Sequence, residues 1–213
     1  RLPAPKLITM MEFLNLVAKE VETETREESL WYLVGALGDG TMYYDNGRYV
    51  VEYGQKCADW LIYAIGLRIA KLGAKPYLVR HKLLYWKIKA YSKALYYELS
   101  RKREMFHTSP PTERSHMIKL IRGFFDAEGT ISKQDKNRVY IRISQKDREL
   151  LRSVANMLNM LGIKTTEVFR SDSHGTYVLQ IRSRYVKDFV KVIGTNHPLK
   201  YERIKFFFPN SYP

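Results

Sequence analysis

One cysteine, Cys57, stands in the whole 213-residue chain. A disulfide framework and any multi-cysteine zinc site are thereby excluded. No run approaches the roughly 20 apolar residues that cross a bilayer. The opening RLPAPKLITMMEF lacks the apolar stretch and small-residue exit of a signal peptide. A chain that starts at Arg1 reads as a trimmed or partial frame, and its expected location is intracellular, cytoplasm or nucleoid. The five histidines, at 81, 107, 116, 174 and 197, form no metal-pair spacing and read as surface or turn residues.

Acid is scarce as well. Asp and Glu number 22 against 36 Lys and Arg, for a net charge of +14 and a pI of about 9.7. Such an excess favours a polyanion partner, nucleic acid or an anionic membrane surface. The membrane is the poorer fit, because the charge lies on strand patterns and not on a basic amphipathic helix. Residues 1–30 carry a net −2, residues 31–113 a net +6 and residues 114–213 a net +10. The opening is an acidic appendage, and the attraction to a polyanion belongs to the rest. With 45% hydrophobic residues the chain has material for a core, so disorder is excluded.

What the chain does have is a copy of itself. An apolar helical stretch, Leu30 to Leu37, runs into Gly38-Asp39-Gly40-Thr41, and a second, Met117 to Phe125, runs into Asp126-Ala127-Glu128-Gly129-Thr130. Val50-Val51-Glu52-Tyr53-Gly54-Gln55-Lys56 then matches Tyr140-Ile141-Arg142-Ile143-Ser144-Gln145-Lys146. Leu72-Gly73-Ala74-Lys75 matches Leu161-Gly162-Ile163-Lys164, and Trp86-Lys87-Ile88-Lys89 matches Leu179-Gln180-Ile181-Arg182. The offset stays between 89 and 93 across four blocks, which chance similarity does not sustain. Four segments follow: an acidic helical extension over 1–24, a first repeat over 25–100, a linker over 101–113 and a second repeat over 114–213. The linker reading rests on RKREMFHTSPPTE, where Pro110 and Pro111 cannot extend a preceding helix.

Each repeat reads helix, strand, strand, helix, strand, strand, helix. Val139, Ile141 and Ile143 share one face of a strand, and Arg138, Tyr140 and Arg142 the other. Lys87 and Lys89 oppose Trp86 and Ile88, just as Gln180 and Arg182 oppose Leu179 and Ile181. Turn signals sit at Asp45-Asn46-Gly47 and Ser173-His174-Gly175. Residues 61–65 and 150–158 read as amphipathic helices covering the apolar face. The fold class is α+β, with sheets apolar on one side and lined by Arg, Lys, Gln and Tyr on the other.

Two acids sit where helix electrostatics disfavours them. A helix C-terminus is partially negative, yet Asp39 and Glu128 both fall in a last turn, each before a Gly expected to serve as the C′ stop. Thr25-Arg26-Glu27-Glu28 reads as a capping box one helix upstream, and Ser109-Pro110 or Thr112 as the start of the second. A carboxylate beside unpaired carbonyls makes sense where a divalent cation is bound, and Mg²⁺ takes oxygen ligands. Gly123 and Ala127 stand four apart, a spacing that lets two helix backbones approach closely. If the two repeats pack through these helices, a pseudo-twofold axis brings Asp39 and Glu128 together next to basic sheet faces. Metal-assisted phosphoryl transfer on both strands of a duplex fits that arrangement.

These residues resemble the LAGLIDADG homing endonucleases in their single-chain, two-repeat form. Ile121-Arg122-Gly123-Phe124-Phe125-Asp126-Ala127-Glu128-Gly129 is similar to the nine-residue signature: Gly third, Asp sixth, Ala seventh, an acid eighth and Gly ninth. Leu33-Val34-Gly35-Ala36-Leu37-Gly38-Asp39-Gly40 is a looser copy; aligned on the acids, Gly123 faces Val34 and not Gly35, one residue short. The resemblance covers about residues 25 to 200. It implies an αββαββα fold in each half, motif helices at the interface, and saddle-shaped sheets lying in the DNA major groove. It further implies Mg²⁺, replaceable by Mn²⁺, on Asp39 and Glu128 with the carbonyls of Gly38 and Ala127. Gln55 and Gln145 would organise water, and a basic residue would polarise each site, with Lys93, Arg184, Lys56 and Lys146 as candidates. The implied product is a double-strand break with short 3′ overhangs in a long asymmetric site, made by a monomer.

Outward-facing Arg48, Arg80, Lys82, Lys87, Lys89, Arg138, Tyr140, Arg142, Arg170, Gln180 and Arg182 are the DNA-contact candidates, since Arg suits guanine and Gln adenine in the major groove. The same scaffold serves two alternatives: an intron maturase binding RNA, and a DNA-binding regulator that does not cleave. Retention of both Asp39 and Glu128 favours cleavage over either. No HNH-like spacing is present, and Arg1 and Pro213 supply neither the nucleophile nor the terminal His-Asn of an intein.

Overall fold

The computed structural model describes residues 4–135, 138–171 and 175–209. Helix α1 (Ala4–Thr23) precedes α2 (Arg26–Gly35), whose start is set by the expected capping box. Thr25 Oγ1 accepts from the Glu28 amide at 3.2 Å and Glu28 Oε2 accepts from the Thr25 amide at 2.7 Å. A 3₁₀ turn (Ala36–Asp39) leads into β1 (Gly40–Asp45) and β2 (Arg48–Gln55). Asn46 and Gly47 join them with φ of 47° and 80°, the left-handed pair that a tight hairpin of this twist requires. A π-helical segment (Trp60–Gly66) and α3 (Leu67–Lys71) follow, then β3 (Pro76–Lys82), β4 (Tyr85–Tyr91) and α4 (Lys93–Thr108).

The second half repeats this order with α5 (Arg114–Glu128), β5 (Gly129–Asp135), β6 (Arg138–Gln145), α6 (Arg148–Met160), β7 (Phe169–Arg170) and β8 (Tyr177–Gln180). It ends in a 3₁₀ turn (Ser183–Tyr185), α7 (Val186–Val192) and α8 (Pro198–Phe207). Two antiparallel four-stranded sheets result, ordered β1-β2-β4-β3 and β5-β6-β8-β7. The fold is α+β, αββαββα twice over, as read from the repeats. The turn expected at Ser173 and His174 lies outside the described residues. Ile88 and Ala90 in β4, and Ile141 and Ile143 in β6, are buried in alternation with half-buried neighbours as expected, whereas in β2 the whole run 50–54 is buried.

Two expectations about connections change. Helix α4 continues to Thr108, so the irregular link between the halves shortens to residues 109–113. Glu113, neither Ser109 nor Thr112, is the N-cap residue of α5; it stays extended after the Pro pair, and its carboxylate accepts from Ser115 Oγ at 3.1 Å. The glycines after the two acids are not left-handed stops either: φ is −124° at Gly40 and −88° at Gly129, both extended. Glycine is needed there for space, because a Cβ would strike the ring of Tyr53 at Gly40 and the ring of Phe125 at Gly129.

Helices α2 and α5 cross backbone to backbone. A Cβ on Gly35 would collide with the Leu120 carbonyl and the Phe124 amide, and one on Gly123 with the Tyr32 carbonyl and the Ala36 amide. Gly35 is thus the true partner of Gly123, and close packing survives the missing residue. The 3₁₀ turn explains how. Four residues at about 2.0 Å each advance about 8 Å and turn about 480°. Five α-helical residues at 1.5 Å advance about 7.5 Å and turn about 500°. Gly35 to Asp39 by the tighter helix therefore delivers its acid to the same place as Gly123 to Glu128.

Helix α1 does more than pack on the first repeat. Phe13, Leu14, Val17 and Val21 are buried, and the Phe13 ring stacks on Tyr201 of α8 at 3.9 Å. Its acids reach both halves. Glu24 Oε2 accepts from Arg68 Nε of α3 at 2.9 Å, and its other oxygen from Lys119 Nζ of α5 at 2.7 Å. Glu20 pairs with Lys119 and Arg122 and accepts from Asn196 Nδ2 at 2.8 Å. Burial pushes both carboxylates up, but Arg122, Lys119 and Arg68 around Glu20, and Arg68 and Lys119 around Glu24, outweigh it and hold them below the ordinary range.

Candidate active site

The last turn before β1 and the last turn of α5 meet at the end of the helix pair. Glu128 lies against Gly38, in space that a side chain on Gly38 would fill. Each acid has the same neighbour: Gln55 Nε2 donates to Asp39 Oδ2 at 3.1 Å, and Gln145 Nε2 donates to Glu128 Oε1 at 3.1 Å. Each glutamine is held in turn by the backbone that follows it. Gln55 Oε1 accepts from the Lys56 amide at 3.1 Å, and Gln145 Oε1 from the Lys146 amide at 2.7 Å. Both amide groups are therefore fixed with nitrogen toward the acid.

The pair is short of positive charge. Burial raises Asp39 to about 6, against the pull of Gln55 and Lys200. Burial and the neighbouring Asp39 charge raise Glu128, against Gln145 and Lys200. Two partly buried carboxylates, one raised by the charge of the other, make an arrangement that a cation would relieve. Among the described residues no cluster of three or more His, Cys, Asp or Glu could hold a metal ion. Two carboxylates with nearby main-chain carbonyls still fit a hard ion of the Mg²⁺ type, which keeps waters and takes phosphate oxygens as further ligands.

Comparison with known proteins gives the family. The LAGLIDADG-like domain model matches residues 115–194. Homing endonuclease I-ApeI of Aeropyrum pernix is 31% identical over 192 residues, which is 83% of this chain and 85% of that protein. The chain belongs to the LAGLIDADG homing endonuclease family. Homing endonuclease I-DmoI of Desulfurococcus mucosus is 34% identical over 120 residues, 55% of this chain and 58% of its own length. The crystal structure of I-DmoI in complex with DNA and Mn superposes with a TM-score of 0.67 at 30% identity, covering 80% of this chain and 98% of that one.

Within this LAGLIDADG scaffold the four basic candidates are not equivalent. Lys56 and Lys146 follow the glutamines directly and are exposed. Lys93 and Arg184 are carried away. Strand β4 is antiparallel to β2, so it begins opposite Gln55, at Trp86, and ends opposite Val50. Lys93, just past that end, sits with its Nζ 5.8 Å from the Tyr49 ring, six residues and about 20 Å from Gln55. Arg184 follows β8 in the same sense and lines a pocket with Arg138, at the far end of β6 from Gln145. The fourth strand's start, not its end, adjoins the acids. Tyr85 stands there, its hydroxyl over Gly54, raised by burial and by Asp39.

The nearest cation to both acids is one the sequence reading overlooked. Lys200, in the first turn of α8, is half-buried; its Nζ donates to the carbonyls of Phe125 at 2.5 Å and Asp126 at 2.6 Å. Burial lowers it to about 8, against the pull of Asp126, Asp39 and Glu128. Asp126 beside it is fully buried and joins the halves: it accepts from Tyr32 Oη at 2.6 Å and from the Asn196 amide at 2.9 Å.

Of the outward-facing candidates, Arg48, Arg80, Lys82, Arg138, Arg170 and Arg182 are exposed. Lys87 and Lys89 share one carboxylate, Glu52, at 2.6 and 2.9 Å, so part of their charge is already met. Arg142 lies over the Tyr140 ring at 4.4 Å and donates to Gln180 Oε1 at 2.8 Å, an ordered Arg–Tyr–Gln row on the second sheet.

Proposed function

We propose that the protein is a site-specific double-strand DNA endonuclease that reads a long asymmetric site through its two basic sheet faces. The observation that carries this reading is the twofold-related pair Asp39–Gln55 and Glu128–Gln145, meeting at one end of α2 and α5. Asp39 and Glu128, with the carbonyls of Gly38 and Ala127, would hold Mg²⁺ or Mn²⁺. When bound, the ion supplies charge stabilisation at the scissile phosphate and a more acidic water. Gln55 and Gln145 orient the acids, and each leaves the rest of its hydrogen-bonding capacity toward solvent water. Lys56 and Lys146 place an ammonium within reach of a phosphate lying over each acid. Arg and Lys elsewhere on the sheets hold the backbone, which makes binding steeply salt-dependent. Two half-sites in one chain make a monomer sufficient, and the products carry short 3′ overhangs.

A randomised duplex library incubated with Mg²⁺ tests this. Sequenced ends from the wild type converge on one long site, and Asp39→Asn and Glu128→Gln each lose that cleavage. Binding of DNA or RNA without cleavage in either Mg²⁺ or Mn²⁺ would sink the nuclease reading in favour of a maturase or a regulator.

A further inference from the structure

A pocket of about 570 Å³ opens at the outer end of the second sheet, on the side away from the acids. Four cations line it, Lys133, Arg138, Arg184 and Lys187, with the ring of Phe206. All four cations are exposed, and among the described residues none is paired with a carboxylate. Phe206 is 79% exposed, an uncommon state for so large an apolar ring. Concentrated positive charge with no acid to meet it, beside an open aromatic face, is the footprint of a sugar–phosphate backbone.

The pocket belongs to one half only. At the equivalent place in the first repeat, Tyr49 stands where Val139 does, and the rings of Tyr44, Tyr96 and Tyr97 close on it at 4.8, 5.2 and 5.3 Å. The smaller Val139 leaves the space open. Lys133 and Val139, paired across β5 and β6, line the pocket on the helix side of the sheet, and Arg138, which begins the outward row of β6 that continues through Tyr140 and Arg142, stands at the sheet's outer edge between that pocket and the basic face. We propose that this pocket grips the backbone of the duplex as it leaves the second sheet, with phosphates on Arg184 and Lys187 and a deoxyribose against Phe206. The inference rests on the DNA-cleaving function proposed above and extends the contact on the second-repeat side alone.

The test uses the full chain, the target recovered from the library, and duplexes shortened stepwise from either end, with affinity read by fluorescence anisotropy across a salt series. Shortening at one end costs the wild type affinity and lowers its salt slope. Arg184→Ala/Lys187→Ala on the long duplex shows a slope smaller by about 1.8, two contacts at about 0.9 each, and on the shortened duplex the slopes of the two proteins coincide. Phe206→Ala weakens binding to the long duplex and leaves the slope unchanged, because an apolar contact releases no counterions. Equal slopes for wild type and double variant on the long duplex overturn the proposal while the endonuclease reading stands. A wild type that cuts no duplex removes that reading, and the pocket's role with it.

Discussion

The two halves of this molecule share a fold but solve their common problems differently. The first brings its acid to the centre with a 3₁₀ turn, the second with a continuous α-helix and one more residue. The first has a seven-residue edge strand, β3, the second only the two residues of β7. A half-buried lysine supports the last turn of α5, and among the described residues no cation donates to the equivalent carbonyls of the first half. What is kept the same is the crossing of α2 on α5 and the Asp/Glu–Gln pair. Geometry at the two acids is held fixed, and the periphery, which on the proposed function would read a different half-site on each side, is free to diverge.

The largest effect on stability is expected where the halves are tied together. Glu24→Gln leaves Arg68 and Lys119 facing a neutral partner in a buried network, a loss of about 3–5 kcal/mol, read from urea unfolding. The same network sets a pH limit. Because pairing holds Glu20 and Glu24 below the ordinary glutamate value of 4.5 in the folded state, their contribution is complete above that pH. It is lost as the pH falls toward and through the folded values. The wild type loses stability on acidification over this range, and Glu24→Gln has a flatter acid limb. Identical limbs would mean that α1 is not the clasp.

The helix crossing offers a symmetric test. Gly35→Ala and Gly123→Ala each force a methyl into the opposite backbone and are expected to cost about 1–3 kcal/mol or more, by similar amounts. A large cost at one position only would show that the 3₁₀ turn had not restored the register.

Lys200→Met is expected to weaken the second half more than the first, because its charge reaches both acids but its hydrogen bonds go only to the turn before Glu128. It deprives the Phe125 and Asp126 carbonyls of their half-buried donor, at about 1–3 kcal/mol, and loosens the turn that carries Glu128. Supercoiled plasmid bearing the target would then accumulate as a nicked form, whereas a general loss of stability would slow both strands together.

Much of this was legible in the chain. The duplication, the strand alternation and the two acids at helix ends all follow from local pattern, and the structure keeps each. The clasp was not legible, since Glu20 and Glu24 meet basic and amide partners 44 to 176 residues away. Lys200 left a trace: a cation in the first turn of a helix is as disfavoured as an acid in the last. The rule that singled out Asp39 and Glu128, applied with the opposite sign to Pro198-Leu199-Lys200, points to it. The misplaced pair, Lys93 and Arg184, came from counting along a strand without its direction, which only the antiparallel register supplies.

That register yields the smallest expected effect, on Lys93. Its ammonium lies over the Tyr49 ring at the outer end of the first sheet, about 20 Å along β2 from Gln55. At that range, across water and salt with a Debye length of about 8 Å, its charge is screened from a phosphate held over Asp39. Lys93→Ala should therefore cleave at saturating enzyme within about twofold of the wild type, the effect of an ordinary surface substitution of up to about 0.5 kcal/mol. Lys56→Ala, next to Gln55, should fall much further. A Lys93 variant that lost cleavage as Lys56→Ala does would put a catalytic cation at the wrong end of the strand, and the antiparallel pairing of β2 with β4 would have to give way.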